Sequence, residues 1–246
     1  MSGKTTTLYS ILDYLNRPEI NITTVEDPVE IRVQGINQIE IDAKATFASS
    51  LRTILRQDPD IILVGEIRDL ETAEIAMQSG QTGHYVLSTI HTIDAIEVIT
   101  RLRKMGISDY DISSTLATSV SQRLIRRVCP HCATKRKFTQ EEMDIMQHLV
   151  DKYGIKLDFK DKFTYDINGC KECNHTGYLG RIAAFEILEI NESIRELISE
   201  GASSMKIREK ALQGEVYRPL FVDAIEKVLD GIVTLEEVNK KLVLFQ

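Results

Sequence analysis

The sequence predicts an α/β protein with a mostly parallel sheet, a small cysteine-bearing insert and a helical C-terminal part. Three observations carry that expectation. Short apolar runs alternate with helical stripes through the first ~130 residues, the signature of strands joined by crossover helices. Two Cys-x-x-Cys pairs follow, and after the second pair one strand pattern gives way to helices.

Leu8, Ile11, Leu12 and Leu15 have helical spacing and follow directly on Ser2-Gly3-Lys4-Thr5-Thr6, so a helix starts at a basic, hydroxyl-rich loop. Ile22 to Val25, Ile61 to Val64 and Tyr85 to Ile90 are short apolar runs ending in polar residues, as expected of strands buried on both faces. Phe47, Leu51, Ile54 and Leu55 form a helical stripe ahead of the second run. In such sheets ligands gather at the carboxyl ends of the strands.

The composition changes after Val128. Cys129-Pro130-His131-Cys132 leads into a Lys/Arg cluster, a helix with a capping box at Thr139 and Glu142, and then Cys170-Lys171-Glu172-Cys173. Arg181 to Leu188 reads as one more strand, and Thr234 with Glu237 reads as a second capping box. The expected domains are therefore 1–128, an insert at 129–178, and 179–246 completing the first. The closing Leu242 to Gln246 resembles a protease-site remnant and is set aside.

The 246 residues, 43% of them hydrophobic, suffice for one large domain with a satellite and argue against disorder. Neither a run of about 18 apolar residues nor a secretory leader is found, which makes the cytosol the expected compartment. A net charge of -7 gives no global attraction to phosphate backbones.

The chemistry begins at Gly3-Lys4-Thr5. These match the second half of a G-x-x-x-x-G-K-[ST] loop, whose amides cradle phosphates while its lysine and hydroxyl serve phosphate oxygens and magnesium. Alone the match is weak, and a solvated lysine at a helix start reads equally well. Further motifs change that: Thr24-Val25-Glu26-Asp27-Pro28-Val29-Glu30, then Leu55-Arg56-Gln57-Asp58-Pro59-Asp60, then Ile61 to Asp69 with Gly65-Glu66, then Thr82-Gly83-His84 and Thr89-Ile90-His91-Thr92.

In order, spacing and wording these resemble the Walker A, aspartate box, Walker B and histidine box of the type II secretion and type IV pilus assembly ATPases. The resemblance covers nearly the whole chain. It implies a RecA-like P-loop core, cut at its upstream end within the phosphate loop, using ATP and magnesium. It implies Lys4 as the phosphate lysine, with Ser2, Gly3 and Thr6 in the loop, and Thr5 and Glu66 as the magnesium residues, Glu66 partly through water. Gly65 stands where a generic Walker B has Asp. Glu30 is the candidate for orienting or deprotonating the attacking water, with Glu26 and Asp27 supporting it; a plain turn before Pro28 is the competing reading for those two. His91 is the candidate γ-phosphate sensor, while His84 is open between nucleotide contact and structure. Arg68, Arg52 and Arg56 are candidates for charge stabilisation or subunit contact, though arginines of this kind are often surface ion pairs.

The two cysteine pairs are separated by the 37 residues 133–169. Four thiolates, two from each tight turn, make the closed tetrahedral set of structural zinc. An iron-sulfur cluster and a redox dithiol are the alternatives for Cys129, Cys132, Cys170 and Cys173, and His131 or His175 could replace one cysteine. In the resembling family such an insert marks assembly rather than retraction motors.

The leading expectation is thus a magnesium-dependent ATPase acting as a hexameric ring at the inner face of the cytoplasmic membrane. It would drive a membrane platform protein and so pilin or pseudopilin assembly, with the truncated chain itself weak or inactive. A catalytically incompetent, zinc-bearing scaffold is the alternative. Nucleic-acid binding through Arg123, Arg126, Arg127, Lys135, Arg136 and Lys137 is disfavoured by the acidic total and the lack of interleaved aromatics. The same cluster could instead touch a membrane surface. Secretion and pilus extension are not distinguished.

Overall fold

The structure is a computed structural model that describes residues 3–42 and 45–242. Its elements run α1 (Lys4–Leu15), β1 (Ile22–Glu26), β2 (Asn37–Glu40), α2 (Phe47–Ile54), β3 (Ile61–Val64), α3 (Leu70–Gln81), β4 (Tyr85–Ser88), α4 (Glu97–Met105) and α5 (Asp109–Thr115). They continue as β5 (Thr118–Val128), β6 (Thr134–Arg136), α6 (Gln140–Asp151), β7 (Thr164–Asp166), β8 (Tyr178–Glu189), α7 (Glu192–Ser199), α8 (Ser204–Gln213), β9 (Tyr217–Arg218), α9 (Leu220–Leu229) and α10 (Leu235–Leu242). Two compact units result. The first gathers 4–119 and 189–213; the second gathers Gly3, 120–188 and 214–242 among the described residues.

The first unit holds a four-stranded sheet in the order β2-β1-β3-β4, parallel throughout. Every residue of β1 and β3 is buried, as the apolar runs predict. Tyr9 and Leu12 of α1 close over Ile22, Ile61 and Leu63, a core in which each fully buried Leu or Ile contributes roughly 1.5–3 kcal/mol. β4 departs from expectation. It ends at Ser88 rather than Ile90, and Tyr85 is 55% exposed, because β4 is an edge of this sheet rather than an interior strand.

The break between units also departs from the boundary at Val128, falling inside β5 after Ser119. Residues 189–213 return to the first unit for a physical reason: Arg103 donates to the carbonyls of Ala202 (2.7 Å) and Ile198 (3.1 Å), and Arg208 pairs with Asp94 at 2.7 Å. The Arg103 bonds satisfy carbonyls at the end of α7 and just beyond it.

The second unit is built from a β5-β8-β9 sheet, the small antiparallel β6-β7 pair, and α6, α9 and α10 around Ile125, Met146, Ala184, Ile225 and Val238. The Thr139 capping box is complete: Thr139 accepts from the Glu142 amide and Glu142 from that of Thr139. The second box is only half made. Thr234 accepts from the Glu237 amide at 3.2 Å, but the Glu237 carboxylate forks onto Arg126 (Nε at 2.9 Å, Nη2 at 2.5 Å). A bidentate charged pair outcompetes one backbone amide. No helix among the described residues is long and apolar enough to cross a membrane.

Candidate nucleotide site and cysteine cluster

In the first unit the parallel register places the ends of β1, β3 and β4 side by side, since Val25 faces Val64 and Val64 faces Ser88. The residues that follow those ends are therefore neighbours: Glu26 and Asp27, Gly65 and Glu66, Thr89 and His91. Gly65 donates its amide to Val25 O at 2.8 Å, Thr89 Oγ1 donates to Gly65 O at 2.8 Å, and Ile67 N donates to Thr89 O at 2.9 Å. A Cβ on Gly65 would come within 3.2 Å of Val25 O, a tight approach to the neighbouring strand.

Glu66 sits at the centre of this edge. Its side chain is 13% exposed, one oxygen binds Arg68 Nη2, and the other lies 3.6 Å from His91 Nε2. That second oxygen is buried with no hydrogen-bond partner, an orphan acceptor of the kind a cation or its water shell satisfies. Arg68 and His91 remain largely exposed, at 65% and 73%. Hydrogen bonding to Glu66 and its negative charge, with a smaller part from Asp27, hold the Arg68 guanidinium above its ordinary value.

α1 starts at Lys4, so the positive end of a helix dipole and its free amides point from the same end as this lysine. Thr5 Oγ1 donates to Glu30 Oε1 at 3.3 Å, which brings the helix start to the aspartate-box glutamate. One turn later the Tyr9 hydroxyl donates to Glu26 Oε2. Burial, then that bond to Glu26, push the Tyr9 phenol up to about 12, so it remains a donor. Glu26, 4% exposed, also accepts from Thr24 Oγ1 (2.6 Å) and Gln38 Nε2 (3.2 Å).

Two groups of contacts result: Thr5 with Glu30, and Glu66 with Arg68 and His91, with Glu26 and Asp27 following β1 and Asp27 in reach of the Arg68 charge; Lys4 opens the helix that carries Thr5 and Thr6. Ser2 lies outside the described residues. Gly3 joins the second unit, where a Cβ would meet Gln122 Nε2 at 2.7 Å. His84 is elsewhere. It precedes β4, at the opposite end of the sheet, and its Nδ1 bonds Thr82 Oγ1 and Ser79 O at the end of α3. Arg52 pairs with Glu71 on the surface, both sides more than half exposed. Sequence reasoning gave no role to Tyr9, Thr24, Gln38 and Thr89. A polar residue inside or just beyond an apolar strand run was the available signal for Thr24 and Thr89; helical periodicity assigns Tyr9 simply to the core.

In the second unit the four cysteine sulfurs lie within 4.8 Å of one another, with Sγ separations of 3.9 Å (Cys129 to Cys170), 3.8 Å (Cys132 to Cys173) and 3.7 Å (Cys170 to Cys173). These are far too long for a disulfide of about 2.05 Å. They match the edge of about 3.8 Å expected for a tetrahedron whose metal–sulfur arms are about 2.3 Å. The amides of Cys170 and Gly177 donate to Cys173 Sγ, both at 3.1 Å, supporting thiolate charge. Gly169 permits the turn: its φ is +89° and a Cβ would strike His175 O at 2.7 Å. The donor set fits a four-thiolate metal ion, and neither histidine is part of it. Three cations of the neighbouring basic cluster are engaged internally: Arg126 on Glu237 and the Tyr178 ring, Arg136 on Glu142 and Asp166, Lys135 over Phe163.

Residues 1–240 match the family described as "Type II/IV secretion system protein". The chain is 45% identical over 239 residues to the type II secretion system protein E of Aeromonas hydrophila, covering 96% of the chain and 46% of that protein. It is 44% identical over 240 residues to the type IV pilus assembly ATPase PilB of Myxococcus xanthus, covering 96% and 41%. It therefore spans less than half the length of these relatives. The solved pilus retraction motor PilT with bound ADP superposes with a TM-score of 0.69 at 28% identity, over 97% of this chain and 57% of that one. The Legionella pneumophila ATPase DotB, at 23% identity and TM-score 0.65, shares the fold. Parallel sheet, clustered motifs and relatives converge: the chain belongs to the type II/IV secretion system protein family.

Proposed function

We propose that this chain is the ATP-hydrolysing part of a motor that powers pilin or pseudopilin assembly, in type IV pilus extension or type II secretion. The observation that carries the reading is Glu66, a mostly covered carboxylate with one buried, unsatisfied oxygen at the carboxyl edge of the sheet, beside Arg68 and His91. Lys4, on the helix whose Thr5 hydroxyl reaches Glu30, binds terminal phosphates with the loop amides of Ser2, Gly3 and Thr6. Glu30 orients or deprotonates the attacking water, with Glu26 and Asp27 behind it. Arg68 neutralises developing charge and His91 reads the terminal phosphate. Thr5 and Glu66 would hold magnesium, which neutralises charge on the phosphate oxygens when bound.

Zinc is the ion that best suits the four thiolates, in a structural role. The motor works as a hexameric ring in the cytoplasm, peripheral to the inner membrane, on a platform protein there. ATP turnover by the full-length protein with Lys4→Ala and Glu66→Ala tests the hydrolase reading. Losses of about a hundredfold or more are expected in both, in line with removal of groups that stabilise transition-state charge; unchanged turnover in both ends it.

A further inference from the structure

Glu30 lies on a loop, residues 27–36, that has no regular secondary structure of its own. A group that aligns a water must be held to within a fraction of an ångström, and an irregular loop does not supply that rigidity unaided. The hydrogen bonds around the loop show what does. The Ile31 amide donates to the Tyr9 hydroxyl at 3.5 Å, and the Ile31 carbonyl accepts from Gln38 Nε2 at 2.9 Å. Both backbone groups of the residue next to Glu30 are thereby tied to side chains from elsewhere. Gln38 Oε1 accepts from the Val33 amide at 2.7 Å, and Glu40 accepts from the Val29 amide at 3.1 Å.

Tyr9 and Gln38 converge on one further group. The Tyr9 hydroxyl donates to Glu26 Oε2, and the Gln38 amide nitrogen donates to Glu26 Oε1 at 3.2 Å. Thr24 Oγ1 adds a third donor at 2.6 Å. Glu26 is thus a buried carboxyl group anchored at the end of β1 by three neutral donors, and it sets the orientation of the two side chains that grip the loop. Tyr9 comes from α1 and Gln38 from β2, so the phosphate helix, the sheet and the aspartate box meet in one network.

We infer that Tyr9 and Gln38, locked onto the buried Glu26, are positioning residues that hold the Glu30 loop in its working place. Glu26 in this assignment is the anchor of the clamp and not a group that touches substrate. The inference rests on the hydrolase reading for its catalytic consequence, though not for the clamp itself.

Tyr9→Phe keeps the ring in the α1 core and removes only the hydroxyl; Gln38→Met keeps length and removes both amide functions. Hydrogen exchange on this chain reads the clamp directly. Amides of Ile31 and Val33 should exchange about tenfold or more faster in the variants, while those of β3 stay as they are. In the full-length protein, kcat for ATP should fall about ten- to a hundredfold with KM for ATP within about twofold, since neither residue touches nucleotide. Adding either change to Glu30→Gln should slow it no further, because both act through Glu30. A general loss of fold would instead lower the thermal midpoint and protection throughout, and would overturn the assignment. Normal wild-type turnover with unchanged kcat and unchanged loop exchange in both variants overturns the inference alone. Absent turnover in the wild type overturns the hydrolase reading, and the loop exchange still decides the clamp.

Discussion

The two candidate sites of this chain handle charge in opposite ways. At the sheet edge of the first unit, Glu66 is nearly buried with one oxygen unpartnered, and its counter-charges Arg68 and His91 stand largely in solvent. In the second unit the four thiols close on one another, and amides already point at Cys173. A structural metal site is finished when the ion binds, so the chain can enclose it completely. A catalytic edge must admit charge and release it, so it leaves polar groups unsatisfied at a cost in stability.

Four experiments press on that difference, the strongest first. A metal ion held by the four thiolates would supply on the order of 10 kcal/mol of the second unit's stability, so chelation or Cys129→Ser should cost about that much. Amides from 129 to 177 should lose protection while those of β1 and β3 keep theirs; full retention in both would show that the thiols are not a folding site. One metal equivalent per chain should be released on thiol modification.

Next in size is the buried end of α10. Glu237 has no exposed side-chain surface and is forked onto Arg126, itself stacked 4.0 Å from the Tyr178 ring centre. Truncating Arg126 to Ala strands that carboxylate and should cost about 3–5 kcal/mol in chemical denaturation. A loss below about 1 kcal/mol would show the pair to be solvated.

The candidate nucleotide edge should respond with the opposite sign. Glu66→Ala removes an unsatisfied buried acceptor, so nucleotide-free stability should hold or rise by about 0.5–2 kcal/mol even as turnover disappears. A clear destabilisation would mean that the Arg68 pair matters more than the orphan oxygen.

The smallest effect is electrostatic. The Arg136 guanidinium, with the Thr139 amide, holds the Glu142 carboxyl below its ordinary value. A depressed folded pKa contributes stability that is present above the unfolded value, about 4.3, and is lost as pH falls through the folded one. Glu142→Gln should therefore flatten the acid limb of the second unit's unfolding below about pH 4 and leave the limb above pH 6 unchanged. An unaltered acid limb would place the acid sensitivity elsewhere.

Much of this was legible in the chain itself. Fully apolar runs such as Ile61–Val64 announce buried parallel strands, because only a doubly covered strand has no polar face to show. The Cys-x-x-Cys pairs announce a shared ligand, because each pair can bite one ion from a single turn. Thr139 and Glu142 announce a helix start through bonds only three residues long. All of these are decided by neighbours in sequence.

Only the tertiary structure decided the rest. Thr234 and Glu237 spell the same cap as Thr139 and Glu142, yet Glu237 turns to Arg126, a residue 111 positions away. His84 and His91 flank one strand and read alike, but a parallel strand has two ends, and only His91 lies at the end shared with Glu66. Tyr9 has the spacing of a core residue and is one; that its hydroxyl also grips Glu26 depends on where β1 ends in space. Local pattern determines which elements form, because it acts through bonds and faces a few residues apart. Which polar groups meet is set by packing between elements distant in sequence, and there a single long-range partner overrides the local rule.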